Sequence, residues 1–219
     1  WGDAPLEEIS FGSFAQTQKH IPGFPMGGFW STDVERNADG SPVLTTSGGV
    51  TVLPASEKEY VGPARPTTEI GFTNTLTVFD NFRIFANLDY KGGNWQWCAI
   101  CSIRSRIDRN GRQINDVNTD PVDISVQRSR QTKTHIQDGD FLKLREVSLT
   151  YQLPAAVTSG INLSSASLSL SARNLWMWTK YKFPEAGTGW GSADPEVKFS
   201  STSAYRVVDY ASIPMQRSF

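Results

Sequence analysis

The chain has 219 residues, room for one large domain or two small ones. Its 21 basic and 22 acidic side chains leave a formal net charge of −1, so no basic field favours nucleic acid. No run approaches about eighteen consecutive apolar residues, which excludes a transmembrane helix but not the alternating strands of a membrane barrel.

The chain opens at Trp1, without an initiator Met or a signal peptide, as expected of a processed chain or a piece of something longer. Residues 1–60 read as irregular. A weakly alternating EEISFGSFAQTQ gives way to the Gly/Pro-rich IPGFPMGGFW, then to STDVERNADGSPVL, two extended pieces around an Asp39-Gly40 turn signal. The series Asp33, Glu35, Asn37, Asp39, Gly40 looks like a calcium loop. It lacks the acidic last ligand, for which Thr46 stands, so a hairpin turn is favoured.

From Pro66 on, period-two alternation dominates. Ile70, Phe72, Leu76 and Val78 share one face, with Asn74 the exception, opposite Glu69, Gly71, Thr73, Thr75 and Thr77. After a tight Asp80-Asn81 turn, Phe82, Ile84, Ala86, Leu88 and Tyr90 alternate with Arg83, Phe85, Asn87, Asp89 and Lys91. The two strands, each about ten residues long, form a hairpin. A long polar region, roughly 92–140, ends in HIQDGD. FLKLREVSLTYQLP supplies a third strand, with Val147, Leu149, Tyr151 and Leu153 on one face and Glu146, Ser148, Thr150 and Gln152 on the other. Leu142 and Leu144 fall out of phase with that apolar face, which signals a bulge or a rim above a membrane. SASLSLSARNLWMW gives a fourth strand, where Ala166, Leu168, Leu170 and Ala172 alternate with serines and Arg173. A stretch rich in Gly, Ser and Pro runs to the end. The fold class is all-β.

Three features turn the apolar faces toward lipid. The strands have the length a tilted strand needs to cross a bilayer. Their connections alternate short and long, as periplasmic turns and outer loops do. Aromatics gather where strands end: Phe79, Phe82 and Tyr151 at the short-turn side; Tyr90, Trp95, Trp97, Trp176, Trp178 and Tyr181 at the other. The rival reading is a secreted soluble β-sandwich that binds carbohydrate. It requires the apolar faces to be buried against a second sheet.

At this point the residues resemble the C-terminal barrel of SusC/RagA-type TonB-linked outer-membrane transporters, from about Ile21 to Phe219. GFPMGGFW and NADGSPVL are similar to a Gly-rich segment and the Asp-Gly turn after it. YVGPARPTTEIGFTNTLTVFDNFRIFANLDYKGG resembles the family's Gly-x-Pro-x-Pro lead-in, strand, short turn and strand. DGDFLKLREVSLTYQLP is the closest likeness, followed by SLSLSARNLWMWTKY, DPEV and IPMQRSF. The resemblance implies an antiparallel transmembrane β-barrel segment, the C-terminal strands of a 22-stranded barrel with long extracellular loops. It implies import of oligosaccharides, peptides or similar large nutrients across the outer membrane of a Gram-negative-type bacterium. A SusD-like surface lipoprotein and the TonB complex would be the partners, beside outer-membrane lipid and lipopolysaccharide. The whole chain, 1–219, is then a C-terminal portion of such a barrel, with the plug domain and the final strand outside it. Thr73, Thr75, Asp89, Glu146 and Thr150 are expected to face the lumen.

Local chemistry adds little beyond binding. CAIC holds both cysteines, Cys98 and Cys101; an oxidising location favours a local disulfide over free thiols or a metal or redox pair. GTGWG lacks the Lys-Ser/Thr of a phosphate loop. The pairs Glu7/Glu8, Asp138/Asp140 and Asp194/Glu196 read as turn formers rather than catalytic carboxylates. With His20 and His135 isolated, no catalytic constellation, cofactor or metal site is expected, and the chain is not read as an enzyme. Trp95, Trp97 and Trp190, in or beside predicted outer loops, either stack on substrate, anchor at the lipid headgroups or pack within the loops. Arg104 and Arg106, in a basic series with Arg109 and Arg112, form a solvated loop face or meet lipopolysaccharide phosphates or an acidic substrate.

Overall fold

The computed structural model describes residues 7–11, 18–43, 45–47, 50–52, 57–98, 133–160, 162–185, 189–192, 194–196, 208–209 and 217–218. The strands run in chain order as β1 (Ile9–Phe11), β2 (Gln18–His20), β3 (Gly28–Ser31), β4 (Thr45–Ser47), β5 (Val50–Val52), β6 (Glu59–Gly62), β7 (Thr68–Val78), β8 (Phe82–Gly92) and β9 (Trp95–Cys98). There follow β10 (Ile136–Asp138), β11 (Phe141–Gln152), a short helix α1 (Ala155–Ser159), β12 (Ser167–Thr179), β13 (Lys182–Glu185), β14 (Gly189–Ser192) and β15 (Val208–Asp209). Among the described residues the all-β reading holds apart from α1 and a 3-10 turn at Lys133–His135.

Four strands of 11 to 13 residues, β7, β8, β11 and β12, form one antiparallel sheet in the order β12-β11-β8-β7. That is long enough for a tilted strand to cross a bilayer, which takes about 9 to 11 residues. Directly paired residues of an antiparallel ladder lie on one face. The register therefore lines up five apolar rows: Ile70, Tyr90, Leu142, Trp178; then Phe72, Leu88, Leu144, Trp176; then Asn74, Ala86, Val147, Ala172. Leu76, Ile84, Leu149 and Leu170 form the fourth, and Val78, Phe82, Tyr151 and Leu168 the fifth. From Ile70 to Val78 the band spans about 27 Å along the strand, or about 20 Å of height at a barrel tilt of about 40°.

One feature of β11 makes this face continuous. The ladder shifts between Leu144 and Glu146 on both sides of the strand. Against β8, Arg145 is the extra residue; against β12 the slack falls at Asn174-Leu175, with Asn174 at φ 54. The bulge rotates Leu142 and Leu144 back onto the apolar face. Of the two readings of their broken phase, the bulge is the one observed.

The short hairpin differs from expectation by one residue. Val78 pairs with Phe82, so the turn is Phe79-Asp80-Asn81, with Phe79 and Asp80 at φ 52 and 60. Left-handed turn residues follow the right-handed strand twist, which removes Phe79 from the strand and points it outward. Asn81 then ties the turn to the neighbouring strand: its Nδ2 donates to Gln152 O at 3.0 Å, and its carbonyl accepts from Gln152 N at 2.7 Å.

At the opposite end of the sheet from the short turn and α1, β6, β9, β10 and β13 join the long strands, and the folded mass there is the crown. It contains the four-stranded sheet β1-β2-β3-β6, the three-stranded sheet β10-β9-β15 and the hairpin β13-β14, while β4-β5 forms a separate hairpin. The described hydrophobic core lies here, with Phe29, Ala64, Trp97 and Ile136 packed together and Val61 and Trp95 against them. A Cβ on Gly62 would strike the Trp95 ring, so only glycine admits that packing. The expectation that residues 1–60 are irregular is thus corrected. Strands of three or four residues are too short for alternation to show in sequence. The Asp39-Gly40 turn is a hairpin turn as read: Asn37 N donates to Ser41 O, and Asp39 Oδ1 accepts from Ser41 N.

The contrast between the two regions weighs against the soluble alternative. A sandwich would bury the apolar rows, yet Phe72 is 56% exposed and Leu170 68%. Ile70, Leu76, Ile84, Leu149, Trp176 and Trp178 are exposed as well, and among the described residues no second sheet covers them. So extended an apolar surface marks an interaction face, and its breadth and bounding rings suit lipid.

Candidate functional site

The opposite face of the long sheet carries the polar residues. Its rows are Glu69, Lys91, Phe141, Thr179; Gly71, Asp89, Lys143, Met177; Thr73, Asn87, Glu146, Arg173; Thr75, Phe85, Ser148, Ser171; and Thr77, Arg83, Thr150, Ser169. Thr73, Thr75, Asp89, Glu146 and Thr150 all stand on this one face. Glu146 pairs with Arg173 at 3.3 Å, and Thr150 shares a hydrogen bond with Ser169 at 2.9 Å. Phe85, the residue that breaks the alternation, is an apolar side chain on the polar face, beside Thr75 and Ser148.

The densest electrostatics on this face lie just below the crown. Lys143 Nζ donates to both carboxylate oxygens of Asp194, at 2.6 and 2.7 Å, and to Glu196 Oε2 at 2.6 Å. Arg145, delivered by the bulge, donates from Nη1 and Nη2 to the two oxygens of Glu196, each at 2.6 Å. Its Nε and Nη2 also reach Asp89 Oδ2. Phe141 underlies both cations, 5.1 Å from Lys143 Nζ and 5.8 Å from Arg145 Cζ. The side chain of Lys143 is 6% exposed and that of Asp194 7%, and Pro195 between the carboxylates is fully buried. Burial of Glu196 opposes its charge, but the bonds from Arg145 and Lys143 outweigh burial and hold its carboxyl at about 2.

A second knot joins three strand exits. Asp140 Oδ1 accepts from Gly93 N at 2.6 Å, and Oδ2 accepts from Lys180 Nζ at 2.7 Å. Its backbone carbonyl accepts from Thr179 Oγ1 and Lys180 N. Burial works against the Asp140 charge, yet the Lys180 and Gly93 bonds keep its carboxyl below the usual range. Lys180 is raised by the Asp140 and Asp138 carboxylates.

The crown residues expected to touch substrate fare differently. Trp97 is 4% exposed and belongs to the core, so the ring-stacking role gives way to packing inside the crown. Trp95 is half-buried against the same core. Tyr181 is fully buried and leaves the expected aromatic rim, which Tyr90, Trp176 and Trp178 make without it. Trp190 lies in β14 opposite Pro184. Cys98 is buried and disulfide-bonded; Cys101, Arg104 and Arg106 lie outside the described residues. Among the described residues, no group of three or more His, Cys, Asp or Glu is placed to hold a metal ion.

Sequence reasoning missed Lys143 and Arg145 as partners of Asp194 and Glu196, which it took for turn formers. The turn role is present too, since Glu196 N donates to Asp194 Oδ1 at 2.9 Å. The available signal was the broken phase at Leu142 and Leu144, which marks the bulge that delivers Arg145.

No family model matches the chain. Over 179 residues it is 24% identical to TonB-dependent receptor P3 of Formosa agariphila, covering 76% of this chain and 17% of that protein. In fold it is similar to the RagAB peptide transporter, with a TM-score of 0.56 at 19% identity over 80% of this chain and 21% of the other. The RagAB peptide importer in its open-open state gives 0.53 at 19% identity, with the same coverage. The chain therefore spans about a fifth of the length of the proteins it matches. In sequence the chain is thus similar to a TonB-dependent receptor and in fold to the RagAB structures, the direction in which its motifs point.

Proposed function

We propose that residues 1–219 form a C-terminal part of the barrel wall, with its outer crown, of a TonB-dependent nutrient importer. The observation that carries this reading is the long sheet: one face apolar, exposed and edged by aromatic rings, the other polar, with the crown at the end away from the short turn. The wall separates lipid from a wet lumen, and the crown surrounds the outer mouth.

On this reading no covalent chemistry takes place on the cargo. The threonines and serines of the polar face offer hydroxyls to a hydrated solute, while Glu146–Arg173 and the Lys143/Arg145 network supply fixed charge. The long sheet ends in open edges, which a barrel pairs. Ser218 exchanges both backbone hydrogen bonds with Arg173 on the outer edge of β12, as a strand paired there would. Oligosaccharides or peptides are the proposed cargo, with a SusD-like lipoprotein over the crown.

The test is made on the whole protein in its own cell. Deleting the gene, or abolishing TonB, should stop uptake of one large nutrient, and the protein should be extracted from the outer membrane with a surface lipoprotein. Recovery from the soluble fraction, or uptake indifferent to TonB, would contradict the proposal.

A further inference from the structure

The segment Asp194-Pro195-Glu196 follows the β13-β14 hairpin of the crown and lies against the polar face of the long sheet. Its two carboxylates occupy a site built by Lys143 and Arg145, with the Phe141 ring beneath both cations. Asp89 faces the site from β8 and holds Arg145 in place from the side. We infer that Lys143 and Arg145 form a binding site for a polycarboxylate cargo, which the chain's own Asp194 and Glu196 fill as a releasable latch.

The geometry supports displacement. Arg145 grips Glu196 through two parallel bonds and Lys143 reaches both oxygens of Asp194, an arrangement that recognises carboxylate pairs in general. The latch meets the cations at high effective concentration, so a ligand with one carboxylate competes poorly. A ligand carrying two or more carboxylates on a flexible backbone replaces both contacts at once. Without the latch, Lys143 and Arg145 stand against Asp89 alone, a net charge of +1 that favours an anion. Opening costs Lys143 all three of its carboxylate bonds, so exchange of one anion for another is favoured over simple opening. Acidic peptides and uronate oligosaccharides share this chemistry.

The inference rests on the polar face being lumenal. In the full-length protein in outer-membrane vesicles, a spin label at Ser192 reports the latch. Oligoglutamate and an oligouronate are titrated separately, against triglycine, a neutral oligosaccharide and sodium chloride of matched ionic strength. The label should become mobile with at least one polycarboxylate and with none of the controls; which one acts identifies the source. Glu196→Gln should lower the midpoint concentration about tenfold. Lys143→Met should leave the label mobile from the start. A label unmoved by both polycarboxylates, mobilised equally by the controls, or a midpoint unchanged in Glu196→Gln overturns the inference. If uptake remains TonB-dependent while the latch stays shut, the latch alone fails; loss of TonB dependence strikes the transport reading instead.

Discussion

Leu144 and Val147 stand on the same face of the sheet although an odd number of positions separates them, because Arg145 is a bulge. One inserted residue therefore does two things. It keeps the apolar band unbroken up to Leu142 and places a guanidinium on the polar face beside Asp89. Deleting Arg145 should remove the bulge against β8 and leave Leu142, Lys143 and Leu144 on their present faces, because Leu144 and Glu146 then alternate directly. The folded fraction in the outer membrane, read by heat-modifiable mobility, should therefore stay close to that of Arg145→Ala; a much lower value would contradict the bulge.

Position within the band should grade the cost of a charge. Ala86→Lys, in the central row, should destabilise by about 2–4 kcal/mol, and Leu168→Lys, in the last row, by about 0–1 kcal/mol. Thr75→Lys, on the other face, should be near neutral. Denaturant midpoints of the whole protein in liposomes measure all three.

Asp140 binds the exits of β8 and β12 to the start of β11. Asp140→Ala should leave Gly93 N without its acceptor and Lys180 with Asp138 alone, and cost about 1–3 kcal/mol locally. Asp140→Asn keeps an oxygen for Gly93 and should cost less. Hydrogen exchange at the amides of residues 93–98 should speed up in that order.

Acid should loosen the Asp194–Glu196 latch. Glu196 is held at about 2, below its ordinary 4.5, so its contribution is fully present above about pH 4.5. It is lost as pH falls toward 2. Lys143 and Arg145 donate to it, and Asp89 and Asp194 share the same two cations. Protease cleavage near residue 196 should be slow at pH 6 and faster at pH 3; equal rates would show that the latch does not hold the segment.

The short turn is a further test of the fold. Asp80 sits at φ 60, a conformation that costs a side chain about 1 kcal/mol and glycine almost nothing. Asp80→Gly should raise the unfolding midpoint slightly, and a decrease would argue against this turn geometry.

The wall was readable because its alternation survives over ten residues or more, as in Ile70-Phe72 and Ile84-Ala86-Leu88. Even the bulge left a trace in the phase of Leu142 and Leu144. The crown was not readable: three-residue strands such as β2 and β10 carry no period, and their partners are distant in sequence. The charged network was hidden for the same reason. Lys143 and Asp194 are 51 positions apart, and neither segment signals the other. Trp97 shows the limit in reverse, since a tryptophan in a long connection reads as exposed until the core that encloses it is seen.

The Phe72, Leu76 and Ile84 face of the long sheet is the one that should meet lipid. Single cysteines placed in turn at positions 72 to 77, in the whole protein in intact outer membrane, can be labelled with a water-soluble maleimide. The expected result is alternation, with Thr73, Thr75 and Thr77 positions labelled and Phe72, Asn74 and Leu76 positions protected. Uniform labelling, or alternation of the opposite phase, would contradict it.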